Sequence, residues 1–205
     1  MFYSVRPSFI LRSFMRKALW RVATNEKKIY LTFDDGPVEH VTPVVLDVLD
    51  AFDAKATFFC VGKNVEKRPA LFSELKMRGH AVANHSNDHL HGWKNNNALY
   101  FENVDRCHVL VNSRLFRPPY GKLKPSQYAF LSRKYKLVMW DVLACDFDPH
   151  VSKEKCLDNV IKHTRPGSIV LFHDSLKAKE KVEFALPKFL GHFRTEGYTF
   201  EKLEA

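Results

Sequence analysis

The sequence predicts a single-domain α/β fold, an incomplete (β/α) barrel preceded by one amphipathic helix. Seven short apolar runs alternate with six helix-period segments along the 205 residues, and that alternation implies parallel strands joined by right-handed crossovers. Several runs are continuously apolar, such as Ile169-Val170-Leu171-Phe172, as expected for strands buried on both faces. No repeat, low-complexity tract or Gly/Ser linker divides the chain, whose length suits one full core. A doubly wound open sheet shares this pattern.

The chain opens with Ile10, Leu11, Phe14, Met15, Ala18, Leu19 and Val22 at three- and four-residue steps, facing away from Arg12, Arg16, Lys17 and Arg21. This periodicity predicts an amphipathic helix. Residues 1–26 are accordingly a helical segment packed on a catalytic domain of residues 27–205. The basic face also suits weak association with an anionic membrane or cell-wall polymer. The cations interrupt any export-signal core, and no run approaches the roughly 18 apolar residues of a membrane span. With Met1 present, the expected location is cytoplasmic.

Strands follow at Lys28–Phe33, Ala56–Val61, Ala81–Asn84, Arg114–Arg117, Leu137–Asp141, Ser168–Phe172 and Tyr198–Leu203. Between them, Thr42–Phe52 carries a Thr cap and Pro43 at the first helical position. Arg68–Arg78 stops at Gly79. Asn97–Val111, Pro125–Tyr135, Ser152–His163 and Lys181–Glu196 complete the helices.

Thirty-two Lys and Arg against 23 Asp and Glu give a formal charge of +9, compatible with acidic polymer surroundings or with solubility alone. No basic run is interleaved with aromatics, which sets nucleic acid aside as a partner. Cys60, Cys107, Cys145 and Cys156 form no C-x-x-C pair and read as free thiols.

Reactive residues collect where strands end, on the face that carries active sites in parallel α/β folds. Asp34-Asp35-Gly36-Pro37 follows the first strand and His85-Ser86-Asn87-Asp88-His89 the third. Arg117-Pro118-Pro119-Tyr120 closes the fourth, Asp146 follows the fifth, and His173-Asp174 ends the sixth. Taken singly, Asp35-Gly36 is a common turn pair, and His173 after an apolar strand fits a core histidine. Together, two like charges held close call for a cation. His85 and His89, four residues apart, supply two imidazoles, and with a carboxylate such as Asp35 make a His₂-carboxylate set with open positions. Arg117 suits a bidentate clamp on Asp34. Because Pro118 and Pro119 lack an amide hydrogen, the first free donor after Arg117 is at Tyr120 or beyond, as an oxyanion site requires. Asp146 beside His173 would keep that imidazole protonated. His80, His91, His108, His150, His163 and His192 lack a partner pattern and read as surface or core residues.

These segments closely resemble the motifs of the polysaccharide deacetylase family, carbohydrate esterase family 4, from about Lys27 to the C-terminus. The resemblance implies a distorted (β/α)₇ barrel, in agreement with the strand count. It makes Asp34 the general base and Asp35, His85 and His89 the ligands of a divalent metal. That ion is Zn²⁺ first, with Co²⁺, Ni²⁺ or Mn²⁺ as alternatives. By the same likeness Arg117 holds the base, the Tyr120 amide helps bind the oxyanion, Leu171 lines an acetyl-sized pocket, and Tyr120, Trp140 and Leu171 together make up the oxyanion and substrate pocket. His173 is the general acid, paired with Asp146. Asp146-Phe147 departs from the family's usual Asp-Trp, which leaves the register of that loop open. The activity implied is metal-dependent removal of acetyl groups from N-acetylated amino sugars of a peptidoglycan- or chitooligosaccharide-like glycan by a monomer. The same centre also suits O-acetyl ester or non-sugar C–N amide hydrolysis.

Overall fold

The structure, a computed structural model, describes residues 4–204; residues 1–3 of the expected N-terminal segment lie outside that range. After a short helix α1 (Phe9–Phe14), the chain alternates β1 (Lys28–Asp34), α2 (Thr42–Ala51), β2 (Thr57–Cys60), α3 (Gly62–Lys67), α4 (Pro69–Met77) and β3 (Ala81–Asn84). It continues with α5 (Asn97–Val111), β4 (Leu115–Phe116), α6 (Pro125–Lys134), β5 (Lys136–Leu137), β6 (Val142–Leu143), α7 (Lys153–His163), β7 (Ile169–His173), α8 (Lys179–Thr195) and β8 (Thr199–Glu201). All strand pairs are parallel, in the order β5-β4-β3-β2-β1-β7-β6, with β8 against the start of β1.

This is the expected barrel in its distorted form, a parallel sheet curled between helices. Its two edge strands, β5 and β6, are consecutive in sequence, and the segment between them is not one continuous strand as expected for Leu137–Asp141. Val138 and Met139 instead give their carbonyls to Arg117, and the N-terminal arm fills the seam. Leu19 N–H donates to Leu137 O at 2.8 Å, Met139 N–H to Leu19 O at 2.8 Å, and Val22 N–H to Gly167 O at 2.9 Å.

The long N-terminal helix is therefore a misreading. Among the described residues of this segment only Phe9–Phe14 is helical, because the open seam offers the backbone from Leu19 onward hydrogen bonds that outcompete the helix ladder. Met15, Ala18 and Trp20 still pack into the body. Phe9, Ile10 and Phe14 face solvent. Two further differences are local. The helix α3 had no periodic apolar signal, with only Gly62 and Val65 buried. Thr42 is the first residue of α2, and its hydroxyl turns to Asp174 rather than capping the helix.

The core is aromatic. Phe33 on β1 stacks between Phe58 on β2 at 5.0 Å and Phe172 on β7 at 6.0 Å, with Leu46, Leu49, Leu186 and Phe189 of the covering helices against them. All four cysteines are free and buried.

Asp141 pins the arm to the barrel. Its carboxylate is fully buried and accepts from Arg6 at 3.1 Å, Arg12 at 2.6 Å, Arg165 at 3.4 Å and the Ser168 hydroxyl at 2.8 Å. The arginines are themselves part-exposed and can recover water, so Asp141→Ala is expected to cost about 1–3 kcal/mol, below the loss for a fully buried pair. Equilibrium urea unfolding checks this; an unshifted midpoint would show that the cluster does not hold the arm.

Candidate metal and acid–base site

Strand register assembles the site. Asp34, the last residue of β1, lies opposite His173 on β7 and Phe59 on β2. β3 carries the chain straight into the His85 loop. The side chains of Asp34, Asp35, His85, His89, Arg117, Asp146 and His173 thus share one end of the sheet.

Arg117 organises the floor. Its side chain is fully buried above the Phe59 ring at 4.1 Å. Nη1 donates to Asp34 Oδ1 at 2.7 Å and to the Thr32 hydroxyl at 2.9 Å, while Nε and Nη2 donate to the carbonyls of Val138 and Met139. The contact with Asp34 is through one nitrogen, so the bidentate clamp expected from sequence is instead a fork spread over a carboxylate, a hydroxyl and two carbonyls. Burial lowers the guanidinium's pKa, and Asp34 opposes that shift.

Asp35, His85 and His89 each present one ligand atom, all within 4.8 Å of one another. His89 Nε2 lies 3.2 Å from Asp35 Oδ1 and His85 Nε2 lies 3.8 Å from it. His85 Nδ1 meets the Arg117 carbonyl at 2.8 Å. A carbonyl only accepts, so Nδ1 carries the proton and Nε2 points its lone pair at Asp35. Burial pushes the His85 pKa down to about 4, with Asp34 pulling the other way, and the ring is neutral as a ligand must be. Burial also disfavours ionised Asp35, but the His89 hydrogen bond and the charge of His173 outweigh it and hold that carboxyl well below its usual range.

The loops that carry these groups are shaped by unusual backbone. Asp35 (φ 83°), Ser86 (φ 60°), His89 (φ 54°), Tyr120 (φ 59°) and Cys145 (φ 62°) are all left-handed. Non-glycine residues hold that conformation only where neighbours impose it, commonly at functional sites. Here the neighbours are visible. Asn84 Oδ1 accepts from Ser86 N–H at 2.8 Å, and Asn103 Oδ1 accepts from the amides of Asn87 and Asp88 at 3.0 and 2.9 Å. Asn64 Nδ2 donates to the Asp35 carbonyl at 2.7 Å. Asp174 accepts from Gly36 N–H at 3.0 Å and from the Thr42 hydroxyl at 2.6 Å. A Cβ on Gly36 would come within 1.9 Å of that carboxylate, so only glycine fits. Burial pushes the Asp174 pKa up to about 8.

On the far side, Asp146 accepts from both the His173 amide at 2.7 Å and its Nδ1 at 2.8 Å. This settles the position of the Asp146-Phe147 loop, with the Phe147 ring 5.0 Å from the His173 ring. Burial alone would lower the imidazole pKa; the charge and hydrogen bond of Asp146 dominate and raise it to about 9. Leu171 and Trp140 join Leu143 and Cys145 in an apolar wall beside His173. Trp140 closes on the Tyr120-Gly121 turn, its ring edge 2.7 Å from where a Gly121 Cβ would stand.

The site has an outer rim that no spacing in the sequence announces. Tyr120, half exposed, lies 4.7 Å from the His89 ring and stacks on His91 at 5.0 Å, and His91 meets the exposed Trp93 at 6.1 Å. The Lys122 ammonium sits 4.4 Å over Trp93. His91, read from sequence as an ordinary histidine, is thus a rung between a candidate ligand and an exposed tryptophan. His80 is a core residue, its Nδ1 accepting from Ala56 N–H at 3.2 Å.

Comparison with known proteins agrees with this arrangement. The family described as polysaccharide deacetylase matches residues 21–138. A peptidoglycan-N-acetylglucosamine deacetylase of Bacillus cereus is 33% identical over 192 residues, covering 88% of each chain. A chitooligosaccharide deacetylase of Azorhizobium caulinodans is 34% identical over 170 residues, 78% of this chain and 80% of that one. Among solved structures, a peptidoglycan N-acetylglucosamine deacetylase in complex with 4-naphthalen-1-yl-N-oxidanyl-benzamide superposes with a TM-score of 0.88 at 29% identity, covering 95% of both chains.

Proposed function

Since the chain belongs to the polysaccharide deacetylase family, we propose that it hydrolyses the acetamide of N-acetylated amino sugars in a peptidoglycan- or chitooligosaccharide-like glycan, with a divalent metal as cofactor. The observation that carries this reading is the placement of a candidate base, Asp34, and a candidate acid, His173, on adjacent strands beside the Asp35–His85–His89 cluster.

Two neutral-capable imidazole nitrogens and one carboxylate oxygen fit Zn²⁺ or a similar ion, and leave coordination positions for water and substrate. When bound there, such an ion supplies Lewis acidity to the acetyl carbonyl and to an attacking water. The chain's own groups do the rest. Asp34, hydrogen-bonded by Arg117 at 2.7 Å, takes the proton from the attacking water. The Tyr120 N–H, the first backbone donor after two prolines, faces the oxygen that gains charge as the carbonyl carbon turns tetrahedral. His173 gives its Nε2 proton to the departing sugar amine, while Nδ1–H stays on Asp146. Leu171 and Trp140 offer an apolar wall to the acetyl methyl group. The exposed Tyr120 and Trp93 rings offer an apolar shelf to the pyranose faces of the flanking sugars.

Acetate release from N-acetylglucosamine oligomers, peptidoglycan fragments and acetylxylan, with added Zn²⁺ or Co²⁺ and a chelator control, tests the substrate class. Release from the amino-sugar glycans is expected. Release confined to acetylxylan would replace the amide reading with an ester one, and silence across the panel would point to a non-sugar C–N bond.

The raised His173 pKa carries its own prediction. The acid must be protonated, so turnover is retained below about pH 9 and falls as pH rises through that value. Asp146→Asn removes the charge that raises the pKa and leaves burial, which lowers it. The alkaline limb of kcat is therefore expected to move down in pH by roughly two units or more. A limb that stays in place would separate Asp146 from the acid.

A further inference from the structure

We propose that the N-terminal arm is a docking surface for an anionic lipid bilayer, with Phe9, Ile10 and Phe14 entering the interface and Arg16, Lys17 and Arg133 pairing with lipid phosphates. Phe9 is 83% exposed, Ile10 68% and Phe14 76%, all on the one short helix α1. Met77 on α4 and Leu176 in the turn before α8 are also exposed, each by itself on its segment. This group is not a frayed end. Arg6 and Arg12 tie it to buried Asp141, Lys17 N–H donates to the Tyr128 hydroxyl at 2.8 Å, and Met15 and Trp20 are buried beneath it. The fold holds three large apolar groups outward against their preference for burial.

Charge selects the occupant. Residues 1–25 hold five Lys and Arg and no Asp or Glu. Between α1 and α6 lies a shallow cavity of about 280 Å³ lined by Phe14, Arg16, Lys17, Tyr128 and Arg133 among others, with no acidic member. None of these three cations forms an ion pair among the described residues. Exposed Phe and Ile beside unpaired Lys and Arg are the signature of an interfacial lipid contact. A second copy of this chain fits less well. Three side chains at about 200 Å² each expose roughly 450 Å², short of the roughly 800 Å² per partner of a stable interface. The arm also leaves the site free: α6 starts beside the site loops, where Gln127 donates to the Gly92 carbonyl, and runs away from them to Arg133.

Co-sedimentation of the full chain with vesicles tests this. Binding to phosphatidylcholine vesicles carrying about a quarter phosphatidylglycerol is expected, with little to pure phosphatidylcholine and a loss on raising salt from about 0.1 to 0.5 M. Both Phe9→Ser/Ile10→Ser/Phe14→Ser and Arg16→Glu/Lys17→Glu should lower the bound fraction about tenfold, with acetate release from soluble oligomers kept as the control for folding. Equal binding to both vesicle types, undiminished binding of either variant, or a dimer by light scattering that the triple variant dissolves would overturn the proposal.

Discussion

His85→Ala is expected to empty the metal site and to lower kcat/KM by at least about four orders of magnitude. The size follows from the several kcal/mol that a Lewis-acid ion contributes to the transition state, at 1.36 kcal/mol per tenfold. No other imidazole belongs to the cluster among the described residues besides His85 and His89. The His85 ring is 2% exposed, its Nδ1–H is fixed by the Arg117 carbonyl, and Asp35 and His89 alone leave a two-ligand site. The substitution also opens a cavity beside Arg117, so His89→Ala, at a ring 28% exposed, serves as the companion that spares the core. Both variants should retain their circular dichroism and lose bound metal by elemental analysis. Full occupancy in His85→Ala would remove that residue from the ligand set.

Asp34→Asn is expected to keep the metal and lose turnover by roughly 10³-fold, within the range for a general base. The amide is isosteric but cannot take a proton. The change has a second, separable consequence. Arg117 is fully buried and Asp34 is its one carboxylate contact among the described residues, so the variant leaves a guanidinium without counter-charge in the interior, at a cost of roughly 3–5 kcal/mol. The Thr32 hydroxyl and the two carbonyls that remain with Arg117 place the expected loss at the lower end. A stable variant with low kcat assigns the carboxylate to chemistry. A destabilised variant with wild-type kcat in its folded fraction would reduce Asp34 to a structural partner of Arg117.

Much of this site was legible because its groups sit where strands end. Asp34, Asp35, His85, Arg117 and His173 follow buried apolar runs, and parallel topology brings such ends together without any knowledge of the intervening loops. Helix α5 was legible end to end from its helix-period segment, Asn97–Val111, and the structure adds its caps, Asn96 through Leu99 N–H and Asn112 in a left-handed turn. The N-terminal arm was not. Three- and four-residue spacing reports which side chains are apolar, and says nothing of a sheet seam that draws Leu19 and Arg21 into strand-like pairing. Asn64, Asn84, Asn103 and Asp174 were illegible for a related reason. They act on backbone amides and carbonyls of the site loops, and backbone geometry leaves no spacing pattern in side chains. The Tyr120–His91–Trp93 ladder required two loops to be folded against each other before its rings could meet.

The exposed apolar arm and the candidate metal and acid–base cluster make separate demands on the chain. The arm leaves apolar groups in water, whereas the cluster draws carboxylates and imidazoles out of it. Asp141 links the two regions structurally, since it anchors Arg6 and Arg12 one residue after Trp140 of the apolar wall.

The central claim, that one ion on Asp35, His85 and His89 activates hydrolysis for Asp34 and His173, is tested most directly by titrating metal-stripped protein with Zn²⁺ while measuring both bound metal and acetate release from an N-acetylglucosamine oligomer. The account predicts no release without metal, and release that rises in proportion to occupancy and saturates at about one ion per chain. Full turnover by protein shown to be metal-free would contradict it.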